Sequence, residues 1–195
     1  MAELKLPVSE EQVRNLKVGD FVELTGRIIT GRDAAHTWLM QEYRDDVAPF
    51  LKDSIIYHCG PVVATNDDGS YDFVAAGPTT SIREEPYQAD VIGRYGLRGV
   101  IGKGGMGART LAGLAEHGAV YLHAVGGAAQ VLARAIPRVE QVFMLEEFGV
   151  PEALWVIEVD RFPVMVTMDS HGGSLHDEVE EHSQAKLREL LGFSV

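Results

Sequence analysis

The first half of the chain alternates short apolar runs with turn residues. Residues 20–30 alternate apolar and polar side chains, which predicts one or two strands interrupted at Gly26. Two further strand-like runs, 62–64 and 71–75, flank the turn sequence Asn-Asp-Asp-Gly at 66–69. This arrangement predicts a β-hairpin. The N-terminal half is therefore expected to be rich in hairpins.

The second half changes to an alternation of strands and helices. The strand-like runs 97–101 and 119–125 are each followed by a helical pattern, at 108–117 and 128–136. The remaining runs predict three strands and a helical tail, at 139–144, 154–159, 162–168 and from Leu175 onwards. The sequence therefore predicts an α/β fold with a mixed sheet, with hairpins in the N-terminal half and βα units in the C-terminal half.

Length and composition indicate an ordinary globular protein. The chain has 195 residues, of which 46% are hydrophobic and 24% are charged. We expect residues 1–195 to form a single domain. No apolar run approaches the roughly 20 residues needed to span a bilayer, and residues 1–10 lack the basic-then-apolar pattern of a secretory signal. We therefore expect a cytoplasmic protein with no membrane partner.

The charge balance is strongly acidic. A formal net charge of -12 argues against a nucleic-acid partner. An acidic protein that binds an anion must concentrate its few cations locally. The placement of Arg32, Arg83 and Lys103 is therefore more informative than the total charge.

The chain has a single cysteine, Cys59. One cysteine cannot form an internal disulfide, nor can it hold a zinc ion or an iron–sulfur cluster by thiolates within this chain. We therefore expect no metal site or cofactor in this chain, and we interpret Cys59 as a small buried strand residue.

Two polar, glycine-bounded segments carry the candidate chemistry, residues 77–83 (GPTTSIR) and 102–107 (GKGGMG). Each follows a strand-like run, and together they hold two cations and three hydroxyl groups. Cations and hydroxyl groups on tight turns favour a small ligand that bears a carboxylate or a phosphate. The candidate ligand-binding residues are Thr79, Thr80, Ser81, Arg83, Lys103 and Gly104.

A third candidate segment is residues 31–36 (GRDAAH), at a predicted strand-to-helix junction. Side chains and free N–H groups converge at such junctions, which makes them frequent ligand sites. Arg32 and Asp33 could also form a local ion pair, and His36 could be a structural histidine.

Residues 102–107 also match the dinucleotide-binding pattern G-x-G-x-x-G. The acidic residue expected about 20 positions further on is absent. A lysine on a flexible loop, suited to one anionic group, is the remaining interpretation. A glycine-rich turn with a solvated Lys103 is the alternative.

Taken jointly, six segments in order resemble one family, residues 31–36 (GRDAAH), 57–61 (YHCGP), 77–83 (GPTTSIR), 102–107 (GKGGMG), 125–129 (VGGAA) and 168–172 (MDSHG). The chain resembles the β component of the iron–sulfur-dependent class I fumarases and of the related L(+)-tartrate dehydratases. The resemblance covers nearly the whole chain. It implies a swivelling β/β/α fold and an α subunit that carries a [4Fe-4S] cluster on three cysteines.

The resemblance also implies roles for individual residues. Arg32, Arg83 and Lys103 would bind the substrate carboxylates, and Thr79 would handle the proton. Asp33 and His36 are candidates to support Thr79, because a free threonine hydroxyl is too weak a base at neutral pH. Thr80, Ser81 and Gly104 are assigned to the substrate-binding surface.

The expected reaction is the interconversion of fumarate and L-malate by a homo-oligomer of the αβ unit. Residues 31–36 look more like the fumarase version, whereas 102–107 are shared with tartrate dehydratases and two-subunit fumarases. Tartrate dehydration to oxaloacetate and a non-catalytic dicarboxylate-binding module are the alternatives.

Overall fold

The computed structural model describes residues 2–192 as nine strands and eight α-helices. The strands are β1 (Ala2–Lys5), β2 (Phe21–Thr30), β3 (Ile55–Tyr57), β4 (Val62–Thr65), β5 (Tyr71–Ala75), β6 (Gly99–Gly102), β7 (Val120–His123), β8 (Arg138–Phe143) and β9 (Leu154–Met168). The helices are α1 (Glu10–Arg14), α2 (Asp33–Gln41), α3 (Ala48–Leu51), α4 (Gln88–Tyr95), α5 (Ala108–His117), α6 (Ala129–Ala133), α7 (Leu145–Phe148) and α8 (Leu175–Leu190). A 3₁₀ turn covers Ser81–Glu84.

The centre of the fold is a ring of five hydrogen-bonded strands. The strands β2, β3, β6 and β7 run parallel to one another in that order. The long strand β9 then pairs antiparallel with both β7 and β2, which closes the ring. The strands β1 and β8 extend the same sheet by pairing with β2 and β9 respectively.

Two hydrophobic clusters follow from the alternation of side chains along these strands. The first takes residues from all five ring strands, including Ile28, Tyr57, Ile101, Leu122 and Ile157, and lies inside the ring. The second takes the intervening residues and packs them under α2, α4 and α5. The ring is therefore buried on both faces where it carries helices.

The α/β fold and the mixed sheet are confirmed, and so is the hairpin of β4 and β5. The division between the two halves is less strict than expected. The strands β2 and β3 are parallel and joined through α2 and α3, so a βα unit also occurs in the N-terminal half. In the C-terminal half, β8 and β9 are antiparallel.

The two strands predicted at 154–159 and 162–168 form one continuous strand, β9. The chain passes Arg161 with a left-handed φ of 48°, opposite a register shift between Leu24 and Gly26 of β2. A local irregularity of this kind bends a strand without ending it. Within residues 2–192 no helix is long and apolar enough to cross a membrane.

Candidate active site

The predicted site segments meet at one edge of the ring. Because β2, β3, β6 and β7 are parallel, their carboxyl ends lie together, and ligands of such sheets bind beyond these ends. The segment 31–36 follows β2, 58–61 follows β3, and 103–107 follows β6. The turn 77–83 lies between the last two of these segments, as its hydrogen bonds show.

Backbone hydrogen bonds hold the turn in place. The N–H of Thr79 donates to the carbonyl of His58 at 2.7 Å, and the N–H of Lys103 donates to the carbonyl of Thr79 at 3.2 Å. The N–H of Ser81 donates to the carbonyl of Lys103 at 3.1 Å. Thr79 is half-buried and Thr80 is exposed. The loops after β3 and β6 therefore fix the hydroxyl-bearing turn from both sides.

Arg32 begins α2 as its N-cap residue and extends across the loop after β3. Its guanidinium lies so close to Gly60 that a side chain there would collide with Nη1. Nη2 is 3.2 Å from Oε1 of Glu152, and Oε2 of Glu152 accepts the N–H of Ala34 at 3.1 Å. The buried Nε of Arg32 has no hydrogen-bond partner in residues 2–192. Glu152 thus holds both the arginine and the start of the helix.

Arg83 and Asp33 join the first segment to the turn. Nη2 of Arg83 lies 2.9 Å from Oδ2 of Asp33. The side chains are 45% and 47% exposed, so both charges face solvent at the edge of the ring. This ion pair places Arg83 beside the start of α2, where Arg32 also lies.

Lys103 contributes a cation from the loop after β6. It is followed by Gly104 and Gly105, with φ of 82° and 77°, which only glycine adopts readily. The side-chain methylenes of Lys103 pass beside Gly126 after β7. Arg32 and Arg83 are paired with carboxylates, whereas Lys103 has no acidic partner at ion-pair distance in the described part of the chain.

The N-terminus of α5 is not free to bind an anion. The carboxylate of Glu85 accepts hydrogen bonds from the N–H groups of Gly107, Arg109 and Thr110 at 2.7 to 3.1 Å. It also accepts the hydroxyl of Thr110 at 2.7 Å. The glycine-rich loop therefore offers Lys103 to a ligand, while the protein itself caps the helix that follows.

Two of the predicted site residues lie beneath the surface of the site. His36 and Ser81 are each 0% exposed. The hydroxyl of Ser81 lies 2.9 Å from both Nδ1 of His58 and the hydroxyl of Tyr121. A hydroxyl engaged in the interior cannot also bind substrate at the surface, and His36 cannot exchange a proton with substrate directly. Both residues support the site from beneath.

A buried polar layer under the edge was missed by the sequence analysis. His58, Glu84 and Gln88 are each 0% exposed. Burial holds the pKa of His36 below its ordinary value and that of His58 well below it. Burial, together with the nearby Asp33 carboxylate, raises the pKa of Glu84 to about 7. The YHCGP segment was a signal for His58, but nothing in the sequence marked Gln88 or Glu84.

Cys59 is buried, as expected. Burial raises the pKa of its thiol to about 12, so the thiol is protonated at neutral pH and is not suited to be a metal ligand or a nucleophile. Among residues 2–192 no group of three His, Cys, Asp or Glu side chains is arranged to hold a metal ion.

Comparison with known proteins places the chain in a family. The family described as Fumarase C-terminus matches residues 1–179. The chain is 54% identical over 187 residues to the "Putative fumarate hydratase class I" of Geobacillus stearothermophilus, a match that covers 96% of this chain and 36% of the relative. This chain therefore spans about a third of the length of that relative.

Shorter relatives match over most of their length. The "Putative L(+)-tartrate dehydratase subunit beta" of Methanocaldococcus jannaschii is 42% identical over 189 residues, with 95% of this chain and 96% of the relative covered. The L(+)-tartrate dehydratase subunit beta of Escherichia coli K12 is 36% identical over 173 residues, with 88% and 85% covered. The chain belongs to the Fumarase C-terminus family.

Proposed function

We propose that this chain is the β component of a hydro-lyase that interconverts fumarate and L-malate. In this proposal it binds the substrate dicarboxylate and handles the proton, while a partner α subunit carries the [4Fe-4S] cluster. The observation that carries the proposal is the convergence of Arg32, Arg83 and Lys103 with Thr79 at one edge of the ring. These four residues come from three separate segments of an acidic chain.

The cations suit the charge that develops during the reaction. Removing a proton from the carbon next to a carboxylate moves negative charge onto that carboxylate. Arg32, Arg83 and Lys103 would stabilise this charge where it develops. The planar guanidinium groups of the two arginines can each bind a carboxylate through two hydrogen bonds.

Lys103 and Arg83 differ in how they would meet the substrate. Lys103 is free of acidic partners in the described residues, so its ammonium can bind a carboxylate directly. Arg83 must share its guanidinium between Asp33 and the substrate, or exchange one for the other. Because the Asp33 pair is exposed, this exchange costs little free energy.

Thr79 is the residue to which we assign proton transfer, at Oγ1. Its backbone is fixed by His58 on one side and Lys103 on the other, which limits where the hydroxyl can point. A threonine hydroxyl needs activation by a neighbouring charge. One candidate is Lys103, whose N–H donates to the carbonyl of Thr79. The other is Asp33, which pairs with Arg83 of the same turn.

The partner completes the site in this proposal. The cluster that we assign to it supplies a Lewis acid for the departing hydroxyl group. The residues of this chain fit that division, because its lone thiol is buried and protonated. Names of the shorter relatives as β subunits support a second chain. The match to only part of the Geobacillus relative supports the same division within one longer chain.

The experiment is an anaerobic reconstitution. This chain is mixed with the cluster-bearing subunit from the same source, and turnover of fumarate and of L(+)-tartrate is followed separately. Malate formed from fumarate only when both chains are present is the expected result. Each chain alone, and this chain with a subunit from which the cluster has been removed, are the controls.

Two other results would change the proposal. Oxaloacetate formed from tartrate would keep the division of labour and make the enzyme a tartrate dehydratase, as the names of two relatives suggest. A stable complex with an intact cluster and no turnover would contradict catalysis. Dicarboxylate binding by this chain would then favour a binding module.

A further inference from the structure

A continuous chain of buried polar side chains runs beneath the candidate site. The terminal amide of Gln88, at its Oε1 position, lies 2.9 Å from Nε2 of His36 and 2.8 Å from Nε2 of His58. Nδ1 of His58 lies 2.9 Å from the hydroxyl of Ser81, which the hydroxyl of Tyr121 also approaches at 2.9 Å. Gln88 therefore bridges the two histidines.

The carbonyl of Arg32 determines which ring nitrogen of His36 carries a hydrogen. Nδ1 of His36 lies 2.9 Å from this carbonyl oxygen, which can only accept a hydrogen bond. Nδ1 must therefore carry a hydrogen. If the ring is neutral, Nε2 has none, and it needs a donor from Gln88.

The surroundings of His36 favour the neutral ring. A charged imidazolium with no exposure to water would need a paired anion. The nearest carboxylate, Glu84, is 4.0 Å from Nδ1, beyond hydrogen-bond distance. Both of its buried oxygens lack hydrogen-bond partners within residues 2–192. Burial lowers the pKa of His36 and raises that of Glu84, which favours the neutral form of each.

The hydrogen bonds available to Gln88 also favour a neutral His36. With the amide oxygen between the histidines, the Gln88 NH₂ group is buried and has no partner in the described residues. A half-turn about the last side-chain bond exchanges the oxygen and the nitrogen at almost no change in shape. Both N–H groups then find acceptors, one on each histidine, and one carbonyl oxygen is left in place of two unpaired donors.

We propose that Gln88 is a positioning residue whose NH₂ group donates to Nε2 of both His36 and His58, so that both rings are neutral and carry their proton on Nδ1. Nδ1–H of His58 then donates to Ser81. These buried side chains connect the start of α2 to the turn 77–83 through hydrogen bonds of defined direction.

This connection fixes the spacing of the candidate clamp. One end of this series of hydrogen bonds is at the carbonyl of Arg32. The other end is at Ser81, which lies two positions from both Thr79 and Arg83 in the sequence. The consequence for substrate binding rests on the proposed function. The direction of the hydrogen bonds does not, because it follows from the contacts alone.

The test is to locate the imidazole protons by NMR. The full chain is labelled with ¹⁵N in histidine, and long-range ¹H–¹⁵N correlation spectra are recorded. The His36 and His58 signals are assigned through bonds from Cβ. We expect both rings to have a protonated Nδ1 and a bare Nε2. A proton on Nε2 of either ring, including a doubly protonated His36, would overturn the proposal.

A variant tests the same point independently. Gln88→Glu replaces the NH₂ group by a carboxyl group, which only accepts when ionised and has a single O–H donor when neutral. Nε2 of at least one of the two histidines should therefore gain a proton. Unchanged ring protonation in a folded variant would overturn the proposal. If this variant fails to fold, the spectrum of the unsubstituted chain still decides.

The effect of Gln88 on substrate binding is tested separately, by enzyme kinetics. In the reconstituted enzyme, Gln88→Glu should raise KM for the dicarboxylate at least fivefold, because the two halves of the clamp lose their link. The matched control is Gln141→Glu, at an exposed position of β8, which should leave KM unchanged. An unchanged KM in Gln88→Glu would contradict the positioning role. Absence of turnover in the unsubstituted complex would instead contradict the proposed function and leave the NMR result standing.

Discussion

The guanidinium of Arg83 lies 2.9 Å from the carboxylate of Asp33, and this pair joins two segments that are 50 positions apart. Both side chains are about half exposed, so the pair is screened by water and contributes at most about 1 kcal/mol to stability. Its role is better understood as orientation. In the proposed function, Asp33 keeps Arg83 at the edge of the ring beside Arg32, and an incoming substrate carboxylate would take the place of Asp33.

Arg83→Ala should therefore lower kcat/KM of the reconstituted enzyme more than tenfold, because a cation that stabilises developing charge is lost. Asp33→Asn should change kcat/KM by a smaller factor. Asp33 both orients Arg83 and competes with the substrate for its guanidinium, so the two effects of its loss oppose each other. Steady-state kinetics on both variants provide the measurement, and Arg138→Ala, at an exposed arginine of β8, is the control. Near-normal turnover in Arg83→Ala would remove Arg83 from the clamp.

Lys103→Ala should also cost more than tenfold in turnover. Its ammonium has no acidic partner at ion-pair distance within the described residues, so its charge is available to substrate. Lys103→Arg should recover part of the loss, because the charge remains while its geometry changes. Lys186→Ala, on the exposed face of α8, controls for loss of one positive charge. Equal turnover by Lys103→Ala and Lys186→Ala would count against the assignment of Lys103 to substrate binding.

Gly102→Ala should destabilise the protein by about 1–3 kcal/mol, in the range of overpacked cores. A methyl group at Gly102 would overlap the hydroxyl of Ser81 and lie 2.9 Å from that of Tyr121. Gly126→Ala is the matched control, since its methyl group would meet only Lys103, at 3.8 Å. Chemical denaturation measures both. Equal midpoints would show that the Ser81 hydroxyl is not held where the structure places it.

The stability of the protein should carry a pH dependence that originates from Glu84. Its pKa rises from the ordinary 4.5 to about 7 on folding, so the folded state binds the proton more tightly. The resulting stabilisation is fully present below about pH 4.5 and is lost as the pH rises through about 7. Relative to Glu84→Gln, the free energy of unfolding should fall by up to about 3 kcal/mol over this interval.

Urea denaturation of both proteins between pH 4.5 and 8 measures this difference. The lowered pKa values of His36 and His58 act in the opposite direction, since the unfolded chain gains protons there as the pH falls. Both histidines are present in both proteins, so the difference retains only the titration of Glu84 and its coupling to His36, 4.0 Å away. Glu116→Gln, on the exposed face of α5, is the control. A difference that stays constant with pH would show that Glu84 titrates normally.

Much of the site could be predicted because its segments carry their own local signals. Glycine-bounded polar runs after strands predicted where Arg32, Thr79 and Lys103 would lie. The structure places Arg32 and Lys103 beyond the carboxyl ends of the parallel strands β2 and β6, and Thr79 in the turn beside them. The hairpin around Gly69 followed from turn chemistry alone. In these cases a few neighbouring residues determine the local structure.

The remainder depends on contacts between distant parts of the chain. Ser81 looks like an exposed hydroxyl in a polar turn, but packing against Gly102 directs it inward. Gln88 carries no local signal, because its role arises from two histidines that lie 30 and 52 positions away. The continuity of β9 could not be predicted either, since pairing with β2 on both sides of Arg161 holds it together.

The closed ring of strands has a consequence for which acids the site can hold. Each strand that carries a site loop is bonded on both sides, so none can slide or part from its neighbour without breaking two ladders of hydrogen bonds. The loops that carry Arg32 and Lys103 therefore begin at fixed positions, at the ends of β2 and β6. In the proposed function, a diacid longer by one methylene group would be accommodated by movement of side chains and loops, while the strands stay in place.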